Sequence, residues 1–195
     1  MAAFYNDFRD KQLQNGILTS AGTGSTAIVN AGKSRIWGIE VESNIALHDD
    51  VFAGLAYTYL NTEVLELDDV SALIASTGAI PSSLSTTEGE ELPYSPKNQL
   101  VASLRYLLPV PADFGDADIG ASYVYYSSQL AVSETASPLY SRIDSYELVN
   151  FHLNWTGIAS SAVDASLFVT NALDEEYTVY HSGLWQTGGF DNAMT

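Results

Sequence analysis

The sequence predicts an all-β fold: an antiparallel meander that forms part of a transmembrane β-barrel, with long extracellular loops and short periplasmic turns. Three observations predict this fold. Apolar and polar residues alternate in one segment after another, the segments are close to the ~10 residues that cross a bilayer on a tilt, and the connections between them alternate between short and long. No apolar run approaches the ~20 residues of a membrane helix.

The segment from Ser145 to Trp155 shows the alternation most clearly. Successive side chains of a β-strand point to opposite faces of the sheet. One predicted face is therefore apolar and ends in an aromatic ring, whereas the other carries amide and imidazole groups. The apolar set is Val149, Phe151, Leu153 and Trp155, and the polar set is Asn150, His152 and Asn154.

Seven segments pass the same period-two test. They are Ala2–Leu13, Lys33–Leu47, Val51–Asn61, Gln99–Leu108, Ala117–Ser128, Ser145–Asn154 and Val163–Asn171. Short, turn-rich connections at 48–50, 109–116 and 157–162 alternate with longer ones at 15–32, 62–97 and 131–144. Unstructured connections longer than ~15 residues are uncommon in compact soluble domains. The pattern favours a barrel, with a soluble β-sandwich as the alternative.

Aromatic residues gather near both ends of the predicted strands. If the long loops lie outside the membrane, five aromatics fall near the outer strand ends and two near the inner ends. The outer set is Trp37, Tyr57, Tyr59, Tyr123 and Tyr125, and the inner set is Tyr106 and Trp155. Aromatic girdles at both membrane–water interfaces are typical of outer-membrane barrels. We therefore expect these residues at the interfaces; in a β-sandwich they would be ordinary core aromatics.

Charged and polar residues on the opposite faces of the strands are candidates for the barrel lumen. They are Glu40, Glu42, Arg105, Asn150 and His152. A basic residue on the lipid face costs about 2–4 kcal/mol at mid-bilayer, and an acidic residue somewhat less. We therefore expect these side chains to face the lumen and line the barrel wall.

Composition excludes several other classes of protein. The net charge is −17 and only seven residues are Lys or Arg, so the chain lacks the basic patch that nucleic acid binding needs. Cysteine is absent, which excludes thiolate metal sites and disulfides. The three histidines, His48, His152 and His181, are far apart and lack ligand-like spacing. The sequence thus predicts no enzyme, and no catalytic, metal or cofactor-binding residues.

Three segments carry a resemblance to a known family. Residues 30–42 resemble an "N-x-G-x-x-x-x-x-G-x-E-x-E" motif that ends at Glu42. Residues 93–98 resemble a "P-x-x-P-x-H/N" motif at the start of a strand. Residues 171–177 resemble an "N-L-F-D-x-x-Y" motif, with Ala172 and Leu173 at its second and third positions. The alternation of residues predicts a meander without reference to these motifs. Together, and in this order along the chain, the three motifs are similar to the barrel of TonB-dependent outer-membrane receptors.

The resemblance implies a 22-stranded barrel with a plug domain in its lumen. Such receptors take up scarce nutrients, such as a ferric siderophore, cobalamin or saccharides, with energy from the TonB complex. Residues 1–195 would then be a fragment of the C-terminal barrel in a Gram-negative outer membrane, without the plug domain and the final strand. The expected partners are outer-membrane lipid, TonB through the absent plug region, and a small-molecule ligand such as an iron chelate. A passive porin-like barrel and a soluble binding module stay open as alternatives.

Overall fold

The structure is a computed structural model, and it describes most of the chain. The described residues are 1–10, 12–18, 24–30, 32–67, 80–83, 88–132, 134, 141–181 and 193–194. In 12–18, 24–30, 80–83 and 193–194 only the backbone is described. None of the described segments is a helix long and apolar enough to cross a membrane.

Fourteen strands are assigned in the described residues, and seven of them form one continuous sheet. In chain order they are β1 (Ala2–Arg9), β2 (Gln12–Leu18), β3 (Gly24–Asn30), β4 (Lys33–His48), β5 (Val51–Glu66), β6 (Ile80–Ser83), β7 (Asn98–Leu108), β8 (Asp116–Tyr126), β9 (Gln129–Leu130), β10 (Arg142–Ile143), β11 (Tyr146–Thr156), β12 (Ala165–Val169), β13 (Tyr180–His181) and β14 (Ala193–Met194). The sheet order is β1-β4-β5-β7-β8-β11-β12, and each pairing is antiparallel. This is the predicted meander, left open as a partial barrel, and we call it the wall.

The two ends of the wall differ in their connections, as predicted. At one end, the turn end, β4 passes to β5 through the two residues Asp49 and Asp50, and two short 3-10 turns complete the β7–β8 and β11–β12 connections. Gly115 is needed there, since it has φ 90° and an added Cβ would lie 2.1 Å from the Thr156 carbonyl oxygen. At the other end, the loop end, the connections are long.

The long β1–β4 connection differs from the predicted loop. The sequence predicts a first strand that ends at Leu13. In the structure β1 ends at Arg9, because Asp10 adopts a left-handed backbone conformation with φ 55°. The chain then enters β2, which pairs with β3 and with β6 in a separate three-stranded sheet. The backbone N–H of Asp10 donates to the Gly32 carbonyl at 2.9 Å. A hydrogen-bonded hairpin therefore replaces much of the predicted unstructured loop.

The strand register separates the side chains of the wall into two faces. On one, the polar face, a cross-strand row runs through Asn44, Gly54, Ser103, Ser122 and Asn150. On the other, the apolar face, large hydrophobic side chains are exposed in a continuous band. They include Ile45, Leu55, Leu104, Ile119, Phe151 and Leu167. A large exposed apolar surface of this kind is typical of a site that contacts a membrane or another protein.

The hydrophobic core of the described residues lies mainly at the loop end. Its members are Val64, Leu92, Leu130, Ala131 and Ile143, each at most 3% exposed. Ser34 and Thr62, which lie on the polar face of β4 and β5, are buried beside them. Connections at the loop end therefore fold over the polar face of the wall and cover it there.

Candidate functional site

All five predicted lumen residues lie on the polar face, in successive cross-strand rows. Glu40 and Glu42 are nearest the loop end, Asn150 is in the middle, and Arg105 and His152 are nearest the turn end. Arg105 and His152 flank the same partner, Gly120 of β8. The structure therefore brings Arg105 and His152 together but separates them from the two glutamates.

A recess in the polar face surrounds Arg105 and His152. It is an open pocket of about 440 Å³ whose lining includes Asn44, Phe52, Gly54, Ser103, Arg105 and His152. Two glycines make room for it: a Cβ at Gly120 would lie 2.3 Å from His152 Cε1, and one at Gly54 would lie 2.6 Å from Ser103 Oγ. Replacing either glycine would push side chains out of the recess.

The predicted lumen residues in and beside this recess contact neighbours that were not among the predicted site residues. His152 Nε2 lies 3.4 Å from Asp118 Oδ1, and the Arg105 guanidinium lies 4.9 Å from the centre of the Phe52 ring. Asn150 Nδ2 donates to Ser122 Oγ at 3.2 Å. Asp118 was visible in the sequence as the polar neighbour of Ile119, but its pairing with His152 depends on register across two strands.

All seven predicted interface aromatics lie on the apolar face. Trp37 and Tyr59 contact each other with ring centres 5.4 Å apart. At the turn end, Trp155 Nε1 donates to the Phe114 carbonyl at 2.7 Å. The set forms two groups: Trp37, Tyr57, Tyr59, Tyr123 and Tyr125 toward the loop end, and Tyr106 and Trp155 toward the turn end. Their placement at membrane interfaces stays a prediction.

One glycine of the first sequence motif, Gly38, has a steric role in the wall. Gly38, two residues before Glu40, pairs with Phe4 across β1 and β4. A Cβ at Gly38 would lie 2.4 Å from the Tyr59 carbonyl oxygen and 2.8 Å from the Phe4 ring. The glycine therefore allows an aromatic ring to pack against the backbone of the polar face.

The last motif forms a turn that is anchored to the wall. The Asn171 side chain accepts from the Glu175 N–H and donates to the Glu175 carbonyl, both at 2.9 Å, while the Asn171 N–H donates to Asn150 Oδ1 at 2.9 Å. The turn delivers Tyr177 onto Tyr146, with ring centres 4.5 Å apart. Tyr146 stacks in turn on Tyr126 at 5.2 Å. Three tyrosines thus form a stack at the loop end of the polar face.

The described connections of the loop end form one unit, which we call the cap: residues 88–97, 129–132, 134, 141–145 and 171–181. Glu91 joins its parts, because its carboxylate lies 2.8 Å from Lys97 Nζ and 3.2 Å from the Arg142 guanidinium, which also pairs with Glu134 at 3.2 Å. Partial burial alone would raise the pKa of Glu91, but these two cations outweigh it and hold that pKa below its ordinary value.

Tyrosine side chains add a second connection within the cap. Tyr94 stacks on Tyr180 with ring centres 5.8 Å apart, and its hydroxyl donates to the His181 carbonyl at 2.8 Å. Burial, with a smaller contribution from Tyr180, raises the pKa of Tyr94 to about 12. In the described residues no group of three His, Cys, Asp or Glu side chains is placed to hold a metal ion.

The comparison with protein families decides between the sequence-based alternatives. Residues 1–172 match the model described as "TonB dependent receptor-like, beta-barrel". The chain belongs to the TonB-dependent receptor family. Members of this family are receptors and transporters of the outer membrane of Gram-negative bacteria, and the family implies interaction with TonB and with small-molecule ligands. The predicted resemblance is confirmed.

Solved structures share the fold at low sequence identity. The ferric yersiniabactin uptake receptor FyuA from Yersinia pestis is 17% identical, with a TM-score of 0.63 over 92% of this chain and 23% of its own. The ferric-catecholate import receptor Fiu from K12 E. coli is 20% identical, with a TM-score of 0.58 over 90% and 21%. The ferric citrate transporter FecA is 21% identical, with a TM-score of 0.56 over 85% and 22%. No curated protein matches.

These similarities establish the fold of the wall. The chain spans less than a quarter of the length of each of the three receptors. The ligands named for them, a ferric yersiniabactin, a ferric catecholate and ferric citrate, are properties of those proteins.

Proposed function

We propose that this chain forms part of the barrel of an outer-membrane receptor that imports a scarce nutrient with energy from the TonB complex. The nutrient classes that we consider are ferric siderophores, cobalamin and saccharides. The family match over residues 1–172 carries the proposal. The two faces of the wall support it, because a barrel that separates lipid from a polar lumen needs one apolar and one polar face.

The polar face would contact a plug domain in the lumen. Glu40 and Glu42 would pair with cations of the plug, whereas Arg105 would pair with a carboxylate. Asn150 and His152 would supply hydrogen bonds, with the glycine-lined recess accommodating a projecting segment. TonB would act through the plug region, which is outside the described wall. The apolar face and its seven aromatics would contact outer-membrane lipid.

The loop end would present the ligand-contacting surface. The stack of Tyr126, Tyr146 and Tyr177 lies at the mouth of the polar face, and flat tyrosine rings contact planar or saccharide ligands at a low cost in conformational entropy. Tyr180 and Tyr94 extend this aromatic surface over the cap. These residues are thus the candidates for ligand contact, while no residue of the wall is assigned to bond-making chemistry.

The function can be tested by uptake in cells that carry the whole receptor. Growth on, or radiolabelled uptake of, ferric siderophores, cobalamin and oligosaccharides would be compared among cells with the receptor, cells without it, and cells that lack TonB. We expect uptake of one class that requires both the receptor and TonB. Receptor-dependent uptake that continues without TonB would indicate a passive porin instead. Recovery of the receptor in the soluble fraction would contradict both transport functions.

The roles of Glu40 and Glu42 can be tested in the same cells. Glu40→Gln with Glu42→Gln should weaken plug retention and reduce uptake, while the protein still inserts into the membrane. A matched control is Glu147→Gln, which removes a carboxylate from the apolar face of β11. Unchanged uptake and unchanged protease protection of the plug in the Glu40/Glu42 variant would refute the assigned role.

A further inference from the structure

A small polar pocket lies in the cap, beside the stack of Tyr126, Tyr146 and Tyr177. It has a volume of about 110 Å³, and two short segments of the chain form most of its lining. The first segment leads directly into Tyr146, and the second contains Tyr177. The two rings that stack at 4.5 Å therefore belong to the two segments that meet in the pocket. The lining side chains that bear on ligand chemistry include Arg142, Asp144, Ser145, Glu176, Tyr177 and Thr178.

The lining offers hydrogen-bond donors and acceptors together with an aromatic ring. The hydroxyl groups of Ser145 and Thr178 both donate and accept, the two carboxylates accept, and the guanidinium donates. Tyr177 adds the flat apolar surface of its ring. A saccharide has matching features, because its hydroxyl groups both donate and accept while a face of its ring presents C–H groups. A ligand with ammonium groups offers donors only and would leave the donors of the pocket unused.

The charges around the pocket disfavour an anionic ligand. Arg142 is the one Lys or Arg in the described lining, and both Glu91 and Glu134 share its guanidinium at 3.2 Å. Asp144 and Glu176 are exposed, and the described residues place no cation within ion-pair distance of either carboxylate. An anion that entered the pocket would meet two carboxylates whose charge is not balanced, which is unfavourable.

The sequence supplies few other cations that could offset these carboxylates. Between residues 51 and 195 the only other Lys and Arg residues are Lys97, which lies 2.8 Å from Glu91, and Arg105, which is near the turn end. Of the remaining four, three lie on the apolar face of β1 and β4, and Lys11 directly precedes β2. The charge of the loop end is therefore poorly matched to anionic iron chelates.

We propose that this pocket binds one ring of a neutral saccharide, with Tyr177 against the face of the ring and with Asp144 and Glu176 accepting hydrogen bonds from its hydroxyl groups. The inference rests on the proposed function, since it names the nutrient class that the loop end would bind. A pocket that encloses a whole drug-sized ligand has about 300–1,000 Å³. The smaller volume here therefore suits a single ring of an oligosaccharide, whose other rings would lie outside the pocket.

The experiment measures ligand binding to the whole receptor that carries this chain, purified in mild detergent, by isothermal titration calorimetry. The neutral probes are tetrasaccharides of α-1,4-linked and β-1,4-linked glucose, of xylose and of mannose. The charged probes are the β-1,4-linked tetramers of glucosamine and of glucuronic acid, which carry ammonium and carboxylate groups on a similar backbone, and ferric citrate. We expect at least one neutral tetrasaccharide to bind about tenfold more tightly than every charged probe.

Variants of the pocket then connect this binding to its lining. Tyr177→Ala should weaken binding of the neutral tetrasaccharide about tenfold, whereas Tyr177→Phe, which keeps the ring, should retain most of it. Asp144→Asn with Glu176→Gln should weaken it about fivefold, because a hydrogen bond to a charged acceptor is the stronger kind. Asp174→Asn, which removes a carboxylate of the same turn outside the described lining, is the control and should leave binding unchanged.

Three results would overturn the proposal: no binding of any neutral tetrasaccharide, tighter binding of a charged probe, or undiminished binding by the Tyr177→Ala or the Asp144/Glu176 variant. TonB-dependent uptake of a ferric chelate alone would overturn it as well, while supporting the proposed function. Conversely, saccharide binding without TonB-dependent uptake would overturn the proposed function and leave this inference standing. Melting temperatures of the variants confirm that each one is folded before binding is compared.

Discussion

The wall and the cap are built on different physical principles. Leu167 and Phe168 are neighbours on opposite faces of β12, yet they are 67% and 72% exposed, as expected for a single layer of strands. Leu130 and Ile143 of the cap are each 1% exposed. The cap is thus stabilised by packing of its own side chains, whereas the wall relies on backbone pairing and on whatever covers its two faces.

This difference matches the two environments, water and lipid, of the proposed receptor. In the cap, hydrophobic residues withdraw from water and the charges of Glu91, Lys97 and Arg142 neutralise one another at the surface. In the wall, hydrophobic side chains are exposed on the apolar face, which is the arrangement that the proposed contact with lipid would need. A hydrophobic side chain is therefore buried within protein in the cap but exposed on the apolar face of the wall. Substitutions of the two kinds of residue should differ in their effect on stability.

The largest effect is expected from truncating the core of the cap. Leu130→Ala should destabilise the cap by about 2–5 kcal/mol, because it removes a fully buried side chain and leaves a cavity. Hydrogen exchange of cap amides in the whole receptor measures the change. The matched control is Leu104→Ala on the apolar face of β7, which removes the same atoms without creating a cavity within protein. Equal effects of both substitutions would contradict the contrast between cap and wall.

A charge on the apolar face of the wall should have the next largest effect. Val169→Lys should cost about 2–4 kcal/mol of stability in a lipid bilayer, because Val169 lies in the cross-strand row of Phe151 and Leu104 at mid-height of the wall. Urea unfolding in lipid vesicles measures it. The adjacent Phe168→Lys places the same charge on the polar face and should be tolerated far better. A reversal of this order would mean that the two faces have been assigned the wrong way round.

Acidification of the cap should have the smallest of the three effects. Because the folded-state pKa of Glu91 is lowered, its ion pairs contribute stability above the ordinary pKa of about 4.5, and this contribution is lost as the pH falls through the lower folded value. The expected loss is about 1 kcal/mol per pair at most, since Lys97 and Arg142 are partly exposed. Proteolysis of the cap from pH 6 downward measures it. In Glu91→Gln this part of the pH dependence should vanish.

The strands of the wall could be predicted from the sequence because the alternation that predicts them involves residues close together in the chain. Alternation places Trp37 and Glu40 on opposite faces within one strand, and all seven predicted strands occur in the sheet. The predicted end of the first strand was wrong because a single left-handed residue, Asp10, redirects the chain. Strand β5 also continues to Glu66, beyond the predicted end at Asn61. Strand ends depend on backbone conformation at one or two residues, which alternation does not report.

The cap could not be predicted in the same way, because its contacts join residues far apart in sequence. Glu91 meets Arg142 across 51 positions, and Tyr94 meets His181 across 87. The motif at 171–177 marked Tyr177 in the sequence, but its stacking on Tyr146 requires the turn made by Asn171. The recess beside Arg105 likewise depends on glycines of two different strands. Such sites require the register, which only the structure supplies.

The two-residue link between β4 and β5 has a consequence for the order in which the sheet assembles. These strands pair over almost their whole length, from Lys33 with Glu66 to His48 with Val51, so their ends meet at minimal entropic cost. Each other strand of the wall pairs with the next one along the sheet after a longer closure. The β4–β5 hairpin is therefore the natural template on which neighbouring strands add in sequence, and its failure to form would delay all of them.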